Sequence, residues 1–144
     1  MSAALIVALF FTVALLVTHA YFLMGSVPLL ILQHDIPMDS GFVRGFYNTY
    51  YLAAASVATA AAMSFAAAGR LFFALGAAAL ALLGVMLRRS VLPKMDLLRA
   101  QIQTCSNSAV PAFRRIHVAA ILINVGQLAF IVWSLVTISI QLKN

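Results

Sequence analysis

Polar side chains interrupt the most apolar parts of this chain, and two of them are histidines. His19 and His117 lie in long uncharged runs, Asn124 and Gln127 lie deeper in the second of these runs, and His34 ends the first. Imidazole and amide groups are costly inside a membrane, so they usually face a bundle interior, a cavity or a ligand. Neutral imidazole is a common metal ligand, and two histidines from two helices can hold a haem axially. These five residues are the candidate ligand-binding residues.

Two interpretations of the histidines stay open from the sequence alone. In the first, the imidazoles form hydrogen bonds that hold helix ends together. In the second, they form a ligand site for a metal, for a haem between His19 and His117, for a quinone or for a lipid head group. The spacing of the residues selects none of these ligands, so the cofactor is unknown.

The elements that position these residues are predicted from the distribution of charge. The chain has 144 residues, of which 65% are hydrophobic and 8% are charged. Four stretches lack any charged side chain apart from histidine, and each is long enough for a membrane-spanning helix. We predict an all-α polytopic membrane protein, a four-transmembrane-helix bundle that forms a single domain over residues 1–144. The predicted spans are residues 2–24, 46–68, 71–87 and 116–142.

The lysine and arginine residues predict the orientation of the bundle. Seven of the nine belong to the two loops that share one face, and Arg70 and Lys143 fall on the other face. The positive-inside rule places both loops in the cytoplasm and both termini in the periplasm, in a cell inner membrane. The net charge of +6 therefore indicates topology and does not indicate nucleic-acid binding. The seven residues are Arg44, Arg88, Arg89, Lys94, Arg99, Arg114 and Arg115.

The connection between the third and fourth spans has helical periodicity of its own. We predict an amphipathic cytoplasmic helix over residues 92–103, with Pro93 in its first turn, lying on the membrane surface or against a partner. Asp96 and Arg99 are spaced for an intrahelical pair. Asp35 and Asp39 would cap a short helix or pair with Arg44.

Helical spacing also predicts which faces of the spans point inward. Thr12, His19 and Ser26 repeat every seven residues in the first span. In the fourth span, five polar residues fall within a sector of about 120°. We expect both stripes to face the bundle interior, with all three histidines towards the cytoplasmic side. The five residues are His117, Asn124, Gln127, Ser134 and Gln141.

Small residues and aromatic residues suggest further contacts in the hairpin of the second and third spans. Small residues permit close helix approach in lipid, so they predict packing within this hairpin or an interface with a second copy or another subunit. The aromatic residues at the start of the second span are typical of an interfacial belt. The small residues are Ser56, Ala60, Ser64, Ala68, Gly76 and Gly84, and the aromatic residues are Phe46, Tyr47, Tyr50 and Tyr51.

Evidence for catalysis is weak. The sequence has no nucleophile motif, zinc-protease motif, phosphate-binding loop or dinucleotide fingerprint. The three acidic residues all lie outside the predicted spans, and the single Cys105 excludes an internal disulfide. We leave the enzyme question open and lean towards a protein that is not an enzyme.

The start of the fourth span resembles a known family. Phe113-Arg-Arg-Ile-His117, followed by Asn124, is similar to an F-x-x-x-H signature with an asparagine two turns later. The chain resembles a bacterial family of small four-span membrane proteins of unknown function, related to eukaryotic transmembrane protein 205. The resemblance implies a four-span fold and makes His117 and Asn124 signature positions. Weaker landmarks match in order in the first half: Gly25, Val27-Pro28, Ile36-Pro37, Gly41 and Tyr50-Tyr51.

Three hypotheses for function follow. The first is an accessory, structural or assembly subunit of a larger membrane complex, with the lipid bilayer and membrane-protein subunits or a second copy as partners. The second is a binding or transport protein that holds a lipid, quinone, haem or metal near His19 and His117. The third is a small cofactor-independent oxygenase, because the size and the arginine-rich approach to the last span also resemble the anthrone-oxygenase-like family.

Overall fold

The computed structural model describes residues 2–31, 37–104 and 109–143, and within these ranges the protein is entirely helical. It has four long helices: α1 (Ala3–Ser26), α2 (Pro37–Ala67), α3 (Leu71–Gln103) and α4 (Ala109–Lys143). A short 3₁₀ helix, Pro28–Ile31, follows α1. Each of the four long helices is long and apolar enough to cross a membrane, which confirms the predicted all-helical class with four candidate spans.

Local signals account for several of the helix ends. Ser2 caps α1, because its hydroxyl oxygen accepts a hydrogen bond from the Leu5 amide at 3.3 Å. The turn between α2 and α3 is closed by Gly69, which has a φ angle of 71°. The amides of Gly69 and Arg70 bond back to the carbonyls of Ala66 and Phe65, the pattern of a Schellman C-cap. A left-handed residue is needed here, and glycine adopts this conformation at the least cost.

The third helix differs most from its predicted form. The segment 92–103 is not a separate helix, because α3 runs without interruption from Leu71 to Gln103 with Pro93 inside it. Proline in a helix interior costs about 3 kcal/mol. Leu92, Met95 and Ile102 are buried against α2 and α4, and each buried side chain of this size contributes about 1.5–3 kcal/mol. Tertiary packing therefore outweighs the proline, and the apolar face of this segment contacts the chain itself.

Contacts at the two ends establish an antiparallel arrangement. Ser26 of α1 meets His117 near the start of α4, and Arg70 at the start of α3 meets Gln141 near the end of α4. Helix α2 packs between α1 and α3, and α4 packs against α1 and α3. We call the end that contains Ser26 and the start of α4 the basic end. Seven of the nine lysine and arginine residues of the chain lie towards it.

Most large buried side chains lie in the half of the bundle nearest the basic end. This core includes Phe22, Tyr47, Met95 and Phe113, so it draws on all four helices. Smaller groups of apolar residues fill the middle and the opposite end of the bundle.

The predicted small-residue stripe of α2 is not its buried face. Ser56 is exposed, and Ala60, Ser64 and Ala68 are half-buried. The buried face of α2, which is adjacent to this stripe, consists of Ala54, Ala58, Ala61 and Phe65. The glycines of α3 behave differently from each other. Gly84 packs within the hairpin, where a Cβ would lie 3.7 Å from the Ala55 Cα, whereas Gly76 faces the ring of Phe130 on α4.

Candidate functional site

His117 joins the end of α1 to the start of α4. Its Nε2 atom lies 3.1 Å from the carbonyl oxygen of Ser26, and its own carbonyl accepts a hydrogen bond of 3.1 Å from the Tyr47 hydroxyl. A carbonyl oxygen only accepts, so Nε2 carries the hydrogen. The Ser26 carbonyl belongs to the last turn of α1, where the helix itself provides no donor. His117 supplies that donor from another helix, and its ring is fully buried.

His19 contacts a carbonyl through the other ring nitrogen, Nδ1. Its Nδ1 atom lies 2.9 Å from the carbonyl of Leu15 in its own helix, so Nδ1 carries the hydrogen and Nε2 presents a lone pair. This Nε2 is buried and has no hydrogen bond of good geometry among the described residues, although the Gln127 carboxamide lies beside it. The ring packs edge-on against Tyr50, with 5.5 Å between ring centroids.

Tyr50 links the polar side chains of α4. Its hydroxyl accepts a hydrogen bond from Asn124 Nδ2 and donates one of 3.5 Å to Gln127 Oε1. Asn124 Oδ1 is buried without a partner among the described residues, as is His19 Nε2. We call His19, Tyr50, Asn124 and Gln127 the polar cluster. It has two spare acceptors, so it would accept hydrogens from a water molecule or a ligand.

The predicted inward stripes are largely confirmed. Thr12, His19 and Ser26 are buried on α1, and His117, Asn124 and Gln127 are buried on α4. The α4 stripe ends earlier than expected: Ser134 is half-buried, and Gln141 is exposed and accepts a hydrogen bond from Arg70. His34 and Asp35 lie outside the described residues, as does Cys105.

The residues do not fit a haem between the two histidines. His117 Nε2 is engaged by the Ser26 carbonyl, and the ring contacts Tyr47 edge-on at 5.4 Å. The neighbouring rings of Phe22 and Tyr50 stack at a centroid distance of 3.9 Å and occupy the interior beside His19. A macrocycle would have to displace all of them. Among the described residues there is also no group of three His, Cys, Asp or Glu side chains able to hold a metal ion.

The tyrosines of α2 lie in the core of the bundle and not at its surface, where the sequence predicts them. Tyr47, Tyr50 and Tyr51 are buried, with at most 7% of their surface exposed, so the interpretation as an interfacial belt is wrong for them. Their rings contact one another and those of Phe22 and His117. The sequence contains the signal, because residues 43, 47, 50, 54, 58, 61 and 65 follow one another at intervals of three or four, which places them on one face of a helix.

A groove between α1 and α2 lies on the other side of Tyr50 from α4. Its volume is about 830 Å³. Gly45 leaves part of this space open, since a Cβ there would meet no atom within 4 Å. None of the described residues that line it is charged. The lining consists of Val17, Thr18, Tyr21, Phe22, Gly41, Phe42, Gly45, Phe46, Thr49, Tyr50 and Ala53.

Phe46 and Gly25 fix one wall of this groove. The Phe46 ring stacks on Phe22 at 5.5 Å and lies so close to α1 that a Cβ at Gly25 would be 2.5 Å from its Cζ atom. Tyr21 and Phe42 form the rim and are 71% and 63% exposed. The groove is therefore accessible from the side of the bundle. The Tyr21 hydroxyl has no hydrogen-bond partner among the described residues.

Charged residues of the basic end form contacts that differ from the predicted ones. Asp96 accepts two hydrogen bonds from the guanidinium of Arg44, at 2.9 and 3.0 Å, instead of pairing with Arg99. The Arg99 guanidinium lies over the backbone of Gly41. Arg88 donates to the Asn48 side chain at 3.1 Å. These contacts tie the second half of α3 to the first half of α2.

Comparisons of the chain with protein-family models, with curated proteins and with solved structures found no match.

Proposed function

We propose that the protein is a multi-pass protein of a bacterial inner membrane that binds an uncharged amphiphile of the isoprenoid quinone class in the groove between α1 and α2. The observation that carries the proposal is the groove itself. A volume of about 830 Å³ falls within the range of small-molecule sites, which are mostly apolar with a few polar groups.

The chemistry of the lining favours a neutral ring compound. Five of the eleven lining side chains are aromatic, and aromatic rings stack well on a planar ring. A charged head group would need a partner of opposite sign at this depth, and none of the described lining residues is charged. Quinone carbonyls need hydrogen-bond donors, and the Tyr21 hydroxyl on the rim, which has no partner among the described residues, is one.

Tyr50 connects this groove to the polar cluster. Its ring forms part of the groove wall, and its hydroxyl contacts Asn124 and Gln127. A ligand that shifts the Tyr50 ring would therefore alter the hydrogen bonds of the cluster. The cluster would act as a support that holds the wall in place, and His19 would border the site without binding the ligand directly.

The membrane placement that accompanies this proposal follows from helix length and charge. Helix α3 has 33 residues and α4 has 35, so each is about 50 Å long, whereas the hydrocarbon core is about 30 Å thick. The excess length would project at the basic end, where the charged residues lie. The positive-inside rule assigns this end to the cytoplasm and both termini to the periplasm.

The proposal is tested by filling the groove with a side chain. Gly45→Leu introduces a side chain into free space, and Gly126→Leu does the same on α4, where a Cβ likewise meets no atom within 4 Å. Both changes raise helix propensity, so both variants should fold. We expect a short-chain ubiquinone analogue to bind the wild type and the Gly126→Leu variant equally, as measured by native mass spectrometry in detergent.

For Gly45→Leu we expect affinity at least about tenfold weaker, since overpacking of about 1.4 kcal/mol has this effect. Tyr21→Phe keeps the ring and removes the donor, and it should weaken binding by about two- to tenfold. Unchanged binding in the Gly45→Leu variant would refute the groove as the site.

A second candidate function, a subunit of a larger membrane complex, is favoured by one observation on α3. This helix is the least covered of the four, and only 17% of its most apolar window is buried. Its outer face carries Leu71, Phe72, Leu75, Leu82 and Met86, all more than half exposed. Purification in a mild detergent would test this: co-purifying membrane subunits or a second copy are expected, and repeated recovery of the chain alone would contradict it.

The resemblances to known families stay predictions, and neither candidate depends on them.

A further inference from the structure

A second cavity, shallow and widely open, lies along the outside of α4 near the basic end. It has a volume of about 420 Å³ and is lined by Pro111, Arg114, Arg115, Val118, Ala119 and Leu122. These residues follow helical spacing and form one face, with two guanidinium groups above an apolar surface. The cavity shares no residue with the groove between α1 and α2.

The two arginines are available to a ligand. Both are exposed, and Arg115 has no hydrogen bond or ion pair among the described residues. Arg114 Nη2 donates to the carbonyl of Leu30 at 3.3 Å, which holds its guanidinium against the 3₁₀ helix, and its other hydrogens have no partner among the described residues. Of the described carboxylates, Asp96 pairs with Arg44, and neither Asp96 nor Asp39 lines the cavity.

The apolar part of the face continues below the arginines. Val118 is 40% exposed and Leu122 is 66% exposed, and both lie further from the basic end than the guanidinium groups. A phosphate held by the arginines would therefore have an acyl chain alongside these side chains. A free phosphate would use only the upper part of the face.

We propose that this face binds an anionic glycerophospholipid, with its phosphate between Arg114 and Arg115 and an acyl chain along Val118 and Leu122. Charge complementarity supports this occupant, because lysine and arginine residues next to a membrane-spanning segment attract anionic phospholipids. The two ligand sites differ in charge: the groove suits a neutral compound, and this face suits an anion.

The test compares two variants that each lose two positive charges. Arg114→Gln/Arg115→Gln removes the site, and Arg89→Gln/Lys94→Gln removes two exposed charges from α3 towards the same end. Each full-length protein is reconstituted in nanodiscs of phosphatidylcholine and phosphatidylglycerol, and native mass spectrometry measures the lipids that stay bound. The wild type should retain phosphatidylglycerol in preference to phosphatidylcholine.

We expect the Arg114→Gln/Arg115→Gln variant to lose this preference by roughly 25-fold, about fivefold for each guanidinium group. The α3 variant should keep it. Arg115→Gln alone leaves the Leu30 contact intact and should lose about fivefold, and Leu122→Ser should weaken retention without abolishing the preference for the anionic lipid. Equal losses in both double variants would indicate only diffuse attraction and would overturn the proposal, as would displacement of the lipid by millimolar inorganic phosphate.

Discussion

The two buried histidines should respond in opposite ways to the same substitution. Phenylalanine keeps a ring of similar size and removes both ring nitrogens. In His117→Phe, the Ser26 carbonyl at the end of α1 loses its donor while it stays buried. In His19→Phe, the Leu15 carbonyl keeps its place in the regular hydrogen bonding of α1, and the unpartnered Nε2 disappears.

The expected magnitudes follow from these environments. A buried polar group left without a partner costs about 1–3 kcal/mol. Side-chain hydrogen bonds between membrane helices average about 0.6 kcal/mol, with a maximum near 1.7. We therefore expect His117→Phe to lower the free energy of unfolding by about 1–2 kcal/mol. For His19→Phe we expect a change between about −0.5 and +0.5 kcal/mol, because the Nε2 atom that is lost has no hydrogen bond of good geometry among the described residues.

The assay is reversible unfolding in mixed micelles, followed by circular dichroism as the fraction of denaturing detergent rises. Tyr47→Phe serves as a reference, because it removes one hydrogen bond to the His117 carbonyl and leaves the imidazole in place. It should cost about 0.5–1.5 kcal/mol. Equal losses for the two histidine variants, or a larger loss for His19→Phe, would refute the assigned hydrogen-bonding roles.

Further predictions concern the packing of α1 on α2 and the contacts of the basic end. Gly25→Ala places a Cβ 2.5 Å from the Phe46 ring, whereas Gly45→Ala meets open space inside α2. Gly25→Ala should therefore be less stable than Gly45→Ala by about 1–3 kcal/mol in thermal unfolding. The Arg44–Asp96 pair has side chains that are 34% and 46% exposed, so a double-mutant cycle with Arg44→Gln and Asp96→Asn should give a coupling below about 1 kcal/mol that falls as salt is raised. A coupling that is independent of salt, or a Gly25→Ala variant as stable as Gly45→Ala, would contradict the packing described above.

The sequence alone predicts the class of fold and the buried polar stripes. The seven-residue spacing of Thr12, His19 and Ser26 places them on one face of a helix, and a polar face in an apolar span has to point inward. The same reasoning works for His117 and Asn124. These predictions need only helix geometry and the cost of polar groups in lipid, both of which are local properties.

Features that depend on a neighbouring helix could not be predicted in the same way. Aromatic residues at a span end suit either a membrane interface or a packed core, and the position of Phe22 on α1 decides this for Tyr47 and Tyr50. Pro93 indicates a helix start in isolation, but burial of Met95 keeps α3 continuous. The groove depends on the position of α1 relative to Gly45 of α2. A glycine leaves a groove between two helices only where the neighbouring helix does not fill the space, and the sequence does not show where that helix lies.

Photo-cross-linking with an azido-substituted quinone in isolated membranes would locate the ligand on the helices. We expect the label in peptides that contain residues 17–22 and 41–53, with labelling reduced by the Gly45→Leu substitution and preserved by Gly126→Leu. Label spread evenly over all four helices, or concentrated on the exposed face of α3, would contradict a quinone site between α1 and α2.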